Sequence, residues 1–177
     1  MLRIAAEEAA GSVAHRLSVD ASRASLLAWR WKVDRVVEGG DLFRKSGDDY
    51  AARVYVTFDV AEETLSLGER VRMRLGKLLY GADIPTAAIC YVWDNRHPAG
   101  TTAWNAYTSR VRMVVVRSGA AEAGRWVSET RDVAADFREA FGHAAPSITG
   151  VALSADTDQT RERVTAWFGD VKLQARR

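Results

Sequence analysis

The sequence has little that could fix the chain covalently or stiffen it, with one cysteine and three prolines among 177 residues. Cys90 has no partner, so an intramolecular disulfide is excluded and stability has to come from a packed core. Its place in the apolar run 87–93 favours a small buried side chain over a nucleophile. No run reaches the ~20 apolar residues that a membrane-spanning helix needs.

Signals for export and for common catalytic sites are missing as well. Residues 1–4 are interpreted as the start of a strand, not as a signal peptide. His15, His97 and His143 lack the spacing of zinc ligands, and no nucleophile elbow, phosphate loop or dinucleotide fingerprint occurs. Neither does a Glu-x-Asp-x-x-Glu run, whose alternate carboxylates would act on one glycosidic bond. With a net charge of +2, there is no strong nucleic-acid signal.

What is present fits one domain spanning residues 1–177, with 47% hydrophobic and 27% charged residues. Of the 25 basic residues, 21 are arginine. A GC-rich genome would explain this bias. The alternative explanation is selection of arginine for planar, bidentate recognition of carboxylates, phosphates or sugar hydroxyls.

Short segments rich in β-branched and aromatic residues predict about eight strands. They are 12–19, 26–33, 52–59, 87–93, 110–117, 124–129, 148–153 and 164–173. Alternation places Val54, Val56 and Phe58 on one face of their segment, and Arg53 and Tyr55 on the other. A period of two in successive segments predicts half-buried antiparallel strands. In 110–117, the same pattern predicts that its apolar residues Val111, Met113 and Val115 point inward.

Two segments have the period of amphipathic helices. The first, 66–80, begins with a Ser-x-x-Glu capping box and stops before a glycine. The second, 132–141, begins with Asp132 as its cap and ends at Gly142. Each has one apolar stripe and should pack against a sheet. The predicted fold is therefore mostly β, an antiparallel two-sheet sandwich with two short amphipathic helices.

Aromatic and basic side chains alternate on several predicted strands. In 29–32, two tryptophans share one face and two cations the other. If these side chains lie together on one sheet face, the rings would stack on sugars and the guanidinium groups would bind hydroxyl groups. The same side chains could also hold bases or acidic ligands. The candidate ligand-binding residues are Arg30, Arg53, Tyr55, Tyr91, Trp93, Asp94 and Arg112. If Trp29, Trp31, Tyr91 and Trp93 all point inward instead, the sandwich stands and this ligand face does not exist.

Aspartates supply the candidate metal ligands. The segment 156–160 resembles the start of a calcium loop, where oxygen ligands recur at every second residue. The match fails at positions six and twelve, where Arg161 and Trp167 replace glycine and glutamate. A turn between strands is the simpler interpretation. Asp48-Asp49 is interpreted as a turn too, although two carboxylates in front of a strand could also reach a cation. The candidates are Asp48, Asp156, Asp158 and Asp170, and a structural calcium ion is the cofactor that they could hold.

Several strings extend over nearly the whole chain and together resemble one family. They include Trp29-Arg30-Trp31-Lys32-Val33, Tyr91-Val92-Trp93-Asp94-Asn95-Arg96 and Ala166-Trp167-Phe168-Gly169-Asp170. With them the chain is similar to the bacterial domain-of-unknown-function family DUF3047, which implies no reaction. The resemblance implies a missing N-terminal segment and a periplasmic or cell-envelope location, although a cytoplasmic one is not excluded. The last string is also similar to the final strand of jelly-roll carbohydrate-binding modules, which makes the expected sandwich jelly-roll-like.

Three classes of function follow from these features. The first hypothesis is a non-catalytic carbohydrate- or glycan-binding module of the bacterial envelope, with a carbohydrate or another small polar or anionic ligand. The alternative is a polysaccharide-active hydrolase or lyase that uses Asp48, Asp49, Asp94 or Tyr55, with arginines as charge stabilisers. The third is a structural or assembly domain. The sequence determines neither the ligand nor the oligomeric state.

Overall fold

The computed structural model describes residues 1–60 and 86–175. Within these ranges, the chain forms ten strands, one α-helix and one 3₁₀ turn. The strands are β1 (Leu2–Glu7), β2 (Ala10–Val19), β3 (Leu26–Val33), β4 (Tyr50–Phe58), β5 (Ala87–Asp94), β6 (Thr102–Asn105), β7 (Thr108–Ser118), β8 (Val127–Asp132), β9 (Ile148–Asp156) and β10 (Arg163–Gln174). The helix is α1 (Val133–Phe141), and the 3₁₀ turn spans Lys45–Gly47. The predicted helix at 66–80 lies outside the described residues.

Two sheets face each other and enclose the main core. One has four strands in the order β1-β10-β3-β8, and the other has six in the order β2-β9-β4-β5-β7-β6. The mostly β, two-sheet sandwich predicted from the alternation is thereby confirmed. In the part of the chain that the structure describes, no helix has the length and apolarity needed to cross a bilayer.

One strand pair departs from the predicted antiparallel arrangement. β5 and β7 run parallel, whereas the other neighbouring strands of both sheets are antiparallel. After β5, the chain reverses direction and forms β6, which is separated from β5 by the width of one strand. A hairpin then leads from β6 into β7, which lies between β5 and β6. Because β7 reverses the direction a second time, it has the same direction as β5. This crossing depends on strand order, which alternation alone does not encode.

Aromatic residues from both sheets fill the space between them. Trp29 stacks on Tyr91 with ring centroids 5.3 Å apart, and Trp31 lies 5.7 Å from Trp93. All four side chains are at most 2% exposed. The inward orientation of Val54, Val56 and Phe58 is confirmed, since they are fully buried in this core.

The face assignment of 110–117 was wrong. Val111, Met113 and Val115 belong to a second apolar cluster, with Cys90 and Leu42, on the opposite face of the six-stranded sheet. Their neighbours Val114 and Val116 contact the main core instead. Both faces of β7 carry apolar side chains, so alternation could not identify which one faces the other sheet. We call the side that carries the second cluster the outer face of the six-stranded sheet.

Helix α1 begins and ends as its sequence predicts. The Asp132 side chain accepts a hydrogen bond from the Ala135 amide, and Gly142 ends the helix with φ at 78°. Phe137 packs on Phe58 with ring centroids 4.5 Å apart. Asp136, a partly buried residue of the same helix, accepts a hydrogen bond from the Tyr91 hydroxyl at 2.6 Å. The helix is thus attached to the six-stranded sheet by both apolar and polar contacts.

Candidate functional site

The seven residues predicted to share one ligand face are distributed over several faces. Tyr91 and Trp93 are 0% and 1% exposed and lie between the sheets, so their assignment to a ligand surface was wrong. They point inward because they alternate with Cys90 and Val92, which belong to the outer-face cluster. The alternative interpretation, in which the tryptophans and Tyr91 are core residues, is the one that the structure shows.

Arg30 and Arg112 also lie away from the outer face of the six-stranded sheet. Arg30 belongs to the four-stranded sheet and forms an ion pair with Asp170 at 2.7 Å. Arg112 pairs across the strands with Trp104, its guanidinium 5.0 Å from the indole ring, on the side of β7 opposite to Met113. Asp170, predicted as a metal ligand, is therefore on the other sheet from the remaining aspartates.

Arg53, Tyr55 and Asp94 do share the outer face, as their positions in β4 and β5 predict. Asp94 is 1% exposed. Its Oδ1 accepts hydrogen bonds from the amides of Arg96 and His97, at 2.7 and 2.6 Å. The His97 ring Nδ1 lies 3.2 Å from the same oxygen. Asp94 thus holds the turn after β5 and is committed to that role.

Arg53 is the centre of a polar network that joins two loops to the sheet. It is 4% exposed. Its Nη1 donates to the Tyr55 hydroxyl at 2.9 Å, and its Nη2 donates to Asp156 Oδ2 at 3.0 Å. Nη2 also donates to the Asp48 carbonyl oxygen and lies 3.9 Å from Asp48 Oδ1. Asn105 completes what we call the Arg53 cluster (Asp48, Arg53, Tyr55, Asn105 and Asp156), because its Nδ2 donates to Asp48 Oδ2 at 3.0 Å.

Burial changes the acidity of the groups in the Arg53 cluster. It raises the pKa of Asp48, although the nearby Arg53 opposes the shift. Burial also raises the pKa of Asp156 to about 6, again against Arg53 and in the same direction as the neighbouring charges of Asp158 and Asp49. Burial raises the pKa of Tyr55 as well, so this phenol is kept protonated. Two carboxyls with raised pKa values therefore lie beside one buried guanidinium.

A tight loop covers this end of the outer face. The amide of Asp41 donates to the carbonyl of Gly47 at 2.7 Å. A side chain at Gly47 would not fit, because its Cβ would lie 2.7 Å from the Asp41 nitrogen. The loop 41–49 places Leu42 against the outer-face cluster and leaves Phe43 63% exposed.

Tyr107 connects the Arg53 cluster to solvent. It is 54% exposed, its amide donates to Asn105 Oδ1 at 3.0 Å, and its hydroxyl donates to the Lys45 carbonyl at 3.0 Å. Sequence reasoning missed both Asn105 and Tyr107, because β6 is only four residues long and no strand was predicted there. The Asn-Ala-Tyr turn at 105–107 was the available signal.

A third aspartate joins two of the predicted metal candidates. One carboxylate oxygen from each of Asp49, Asp156 and Asp158 lies within 4.8 Å of the others, and we call these residues the three-aspartate cluster. Asp49 is 1% exposed, and its Oδ2 accepts from the amides of Gln159 and Thr160 at 3.0 and 2.6 Å. From its place in the sequence, Asp49 is part of a predicted turn whose two carboxylates could reach a cation, but no local pattern connects it with a segment more than a hundred residues later.

The chain also has an apolar cleft at the open edge between the sheets, of about 560 Å³. Aliphatic side chains such as Val13, Leu17, Val171 and Leu173 line it, and His15 is its titratable group. The few polar groups here contrast with the outer face, where hydrogen-bonding side chains converge. The cleft and the outer face therefore differ in chemistry, the first being apolar and the second polar.

Fold and site together define a β-sandwich protein whose larger sheet carries a buried polar network and acidic loops on its outer face. The chain belongs to the family described as protein of unknown function DUF3047, whose profile matches residues 1–172. No curated protein matches it.

Two solved structures have a similar course of the chain. One comes from a comparison of family 12 glycoside hydrolases and their thermal stability, with 14% identity, a TM-score of 0.49, and coverage of 90% of this chain and 67% of that one. The other is the xyloglucanase domain of NopAA, a type three effector from Sinorhizobium fredii, in complex with cellobiose. It has 9% identity, a TM-score of 0.45, and coverage of 93% and 75%. At such low identity, neither structure indicates what this chain binds.

Proposed function

We propose that this protein is a binding module for a carbohydrate, which contacts the outer face of the six-stranded sheet beside the Arg53 cluster. The observation that supports the proposal is a chain of hydrogen bonds that runs from Tyr107 through Asn105 to Asp48. An exposed aromatic ring stands next to fixed amide and carboxylate groups. Rings of this kind pack on the apolar faces of sugars, and planar polar side chains bind hydroxyl groups.

The loop 41–49 adds further contacts to the proposed surface. Phe43 is exposed and its ring lies 5.2 Å from that of His97, edge to face. Lys45 Nζ lies 5.3 Å from the centre of the Tyr107 ring. The proposed surface therefore combines rings with cationic side chains and several fixed acceptors. The cell-envelope location implied by the family stays a prediction.

The proposal is tested by titrating the full chain with neutral β-glucan oligosaccharides and with uronate oligosaccharides in a calorimeter. We expect saturable binding of one set, and a loss of about tenfold or more in affinity for Tyr107→Ala, since tenfold corresponds to about 1.4 kcal/mol. Trp104→Ala is the matched control. It removes an exposed ring from the same hairpin, but Trp104 contacts Phe141 and Arg112 on the other side of the sheet.

Two outcomes would contradict the binding module. One is the absence of heat from both sets at millimolar concentration. The other is an equal loss of affinity in Tyr107→Ala and Trp104→Ala, which would show a general effect on the fold. Circular dichroism of each variant confirms that the sheets are intact before titration.

A glycoside hydrolase is the second candidate, on the observation that Asp48 and Asp156 both have raised pKa values beside Arg53. A carboxyl with a raised pKa holds its proton to a higher pH and can act as a general acid on a leaving oxygen. The lyase variant is less consistent, because a catalytic tyrosine base needs a lowered pKa and that of Tyr55 is raised. The hydrolase would be favoured if the oligosaccharide that binds also releases reducing ends and if Asp48→Asn abolishes this release. Binding without release of reducing ends favours the binding module.

A further inference from the structure

Three carboxylates meet where two distant parts of the chain come together. Asp49 immediately precedes β4, Asp156 ends β9, and Asp158 lies in the turn between β9 and β10. One oxygen of each lies within 4.8 Å of the others. Like charges at this separation repel each other, more strongly in a partly buried site than in water. Such an arrangement is unfavourable unless a positive charge lies among the carboxylates.

The carboxylate of Asp49 has an unused oxygen. Both backbone donors bind Oδ2, while Oδ1 is buried and has no hydrogen-bond partner among the described residues. In the same turn, the Thr160 hydroxyl is also buried without a partner there. A buried carboxylate oxygen is rarely left without a partner, because its desolvation is then uncompensated. This oxygen belongs to the carboxylate that faces Asp156 and Asp158.

Arg53 supplies a counter-charge to Asp156 but not to the other two members of the three-aspartate cluster. Its Nη2 contacts Asp156 Oδ2 at 3.0 Å, but the same nitrogen also binds the loop at Asp48. In residues 1–60 and 86–175, no ion pair reaches Asp49 or Asp158. A cation at this point would therefore bind the carboxylates that the guanidinium leaves without a counter-charge.

The conformation of the turn bears on the two mismatches with a calcium loop. Arg161, at the sixth position, has φ at 56°, the left-handed conformation for which such loops use glycine. At the twelfth position, Trp167 lies within β10, too far along a strand to act as a ligand. Asp49, from a different part of the chain, adds a third carboxylate beside this turn.

We propose that Asp49, Asp156 and Asp158 bind a calcium ion that joins the start of β4 to the β9–β10 turn. Carboxylate and hydroxyl oxygens are hard ligands, and calcium accepts them in irregular geometry with water completing the shell. Magnesium demands a regular octahedron and retains most of its water, so an assembly of ligands from two loops suits it less. Asp158 is exposed and leaves a path for the ion from solvent.

The test uses the full chain after treatment with a chelator, titrated with CaCl₂ and, separately, with MgCl₂. We expect saturable calcium binding in the calorimeter and a rise of the melting temperature with calcium concentration. Asp158→Asn should lower calcium affinity more than about tenfold, because fewer ligand charges weaken such sites. Asp170→Asn is the matched control, since this aspartate lies on the other sheet and should leave calcium binding unchanged.

Asp49→Asn tests the buried carboxylate of the proposed site. If Asp49→Asn fails to fold, the exposed Asp158→Asn still decides the test. Absence of saturable binding below about 10 mM calcium, beyond the range of extracellular calcium modules, would overturn the site. An equal change of calcium affinity in Asp158→Asn and Asp170→Asn would also overturn the site. Saturation by magnesium but not by calcium would overturn the choice of ion. Oligosaccharide titrations with and without calcium report separately on the proposed function, which neither requires nor supplies the ion.

Discussion

At the scale of single residues, the face of the strand from which a side chain projects decides whether a ring can contact a ligand. Trp93 and Tyr107 are both aromatic and both lie on or beside the six-stranded sheet. Trp93 lies between the sheets, 1% exposed, and its indole nitrogen donates to the Gly119 carbonyl at 3.0 Å. Tyr107 is 54% exposed. A sequence pattern that counts rings treats the two alike.

Trp93→Ala should therefore behave as a core substitution. We expect the free energy of unfolding to fall by about 3–5 kcal/mol, since the lost contacts and the cavity both contribute. Urea denaturation at constant pH measures the loss. For Trp104→Ala, in which the ring is 39% exposed, the expected loss is about 1 kcal/mol or less. Equal losses in the two variants would contradict the placement of Trp93 in the core.

Cys90 gives a second residue-scale prediction. The thiol is fully buried beside Met113 and Val92, and burial raises its pKa to about 12. Because the thiolate is the reactive form, we expect almost no reaction of the native protein with a thiol reagent at pH 8. In denaturant, one thiol per chain should react at once. Rapid reaction of the native protein at full stoichiometry would show that this face of β5 is open.

At the scale of elements, helix α1 could be predicted from the sequence because the residues at its two ends determine where it starts and stops. Asp132 and Gly142 lie next to α1 and act locally, so their effect can be derived from a short window. β6 has four residues and no comparable signal, and it was missed. The parallel pairing of β5 with β7 depends on where β6 lies in the sheet, which no window of one strand contains.

Asp132→Ala tests the local specification of α1. Without the side-chain acceptor for the Ala135 amide, 3.2 Å away, we expect a loss of about 1 kcal/mol in the free energy of unfolding. Asp132→Asn keeps an acceptor and removes the charge, so it should retain most of the stability. If both variants lose the same amount, the charge of Asp132 matters and its capping bond does not.

At the scale of the whole molecule, the candidate site is built from contacts between distant segments. Asp156 is 103 residues from Arg53, and the amide of Gln159 is 110 residues from Asp49. The sequence could predict that Arg53 and Tyr55 share a face, because strand alternation is local. It could not predict which carboxylates meet them, because that depends on how loops from different strands fold over one end of the sheet.

Arg53 and Arg30 were equivalent candidates in the sequence, and the structure makes opposite predictions for them. Arg53→Met should lower the free energy of unfolding by about 3–5 kcal/mol in chelator at pH 7, because buried acceptors then lose their cation. Arg30→Met removes an ion pair whose side chains are 45% and 61% exposed, and it should cost about 1 kcal/mol or less. Urea denaturation of both variants measures the difference.

A double variant isolates the electrostatic part of the Arg53 effect. Adding Asp156→Asn to Arg53→Met removes the carboxylate that the substitution leaves without its cation, 3.0 Å away in the native protein. The double variant should therefore be more stable than Arg53→Met alone. Were it less stable, by the sum of the two single losses, Arg53 would act through packing against the Tyr50 ring, 4.6 Å from its guanidinium, and not through charge.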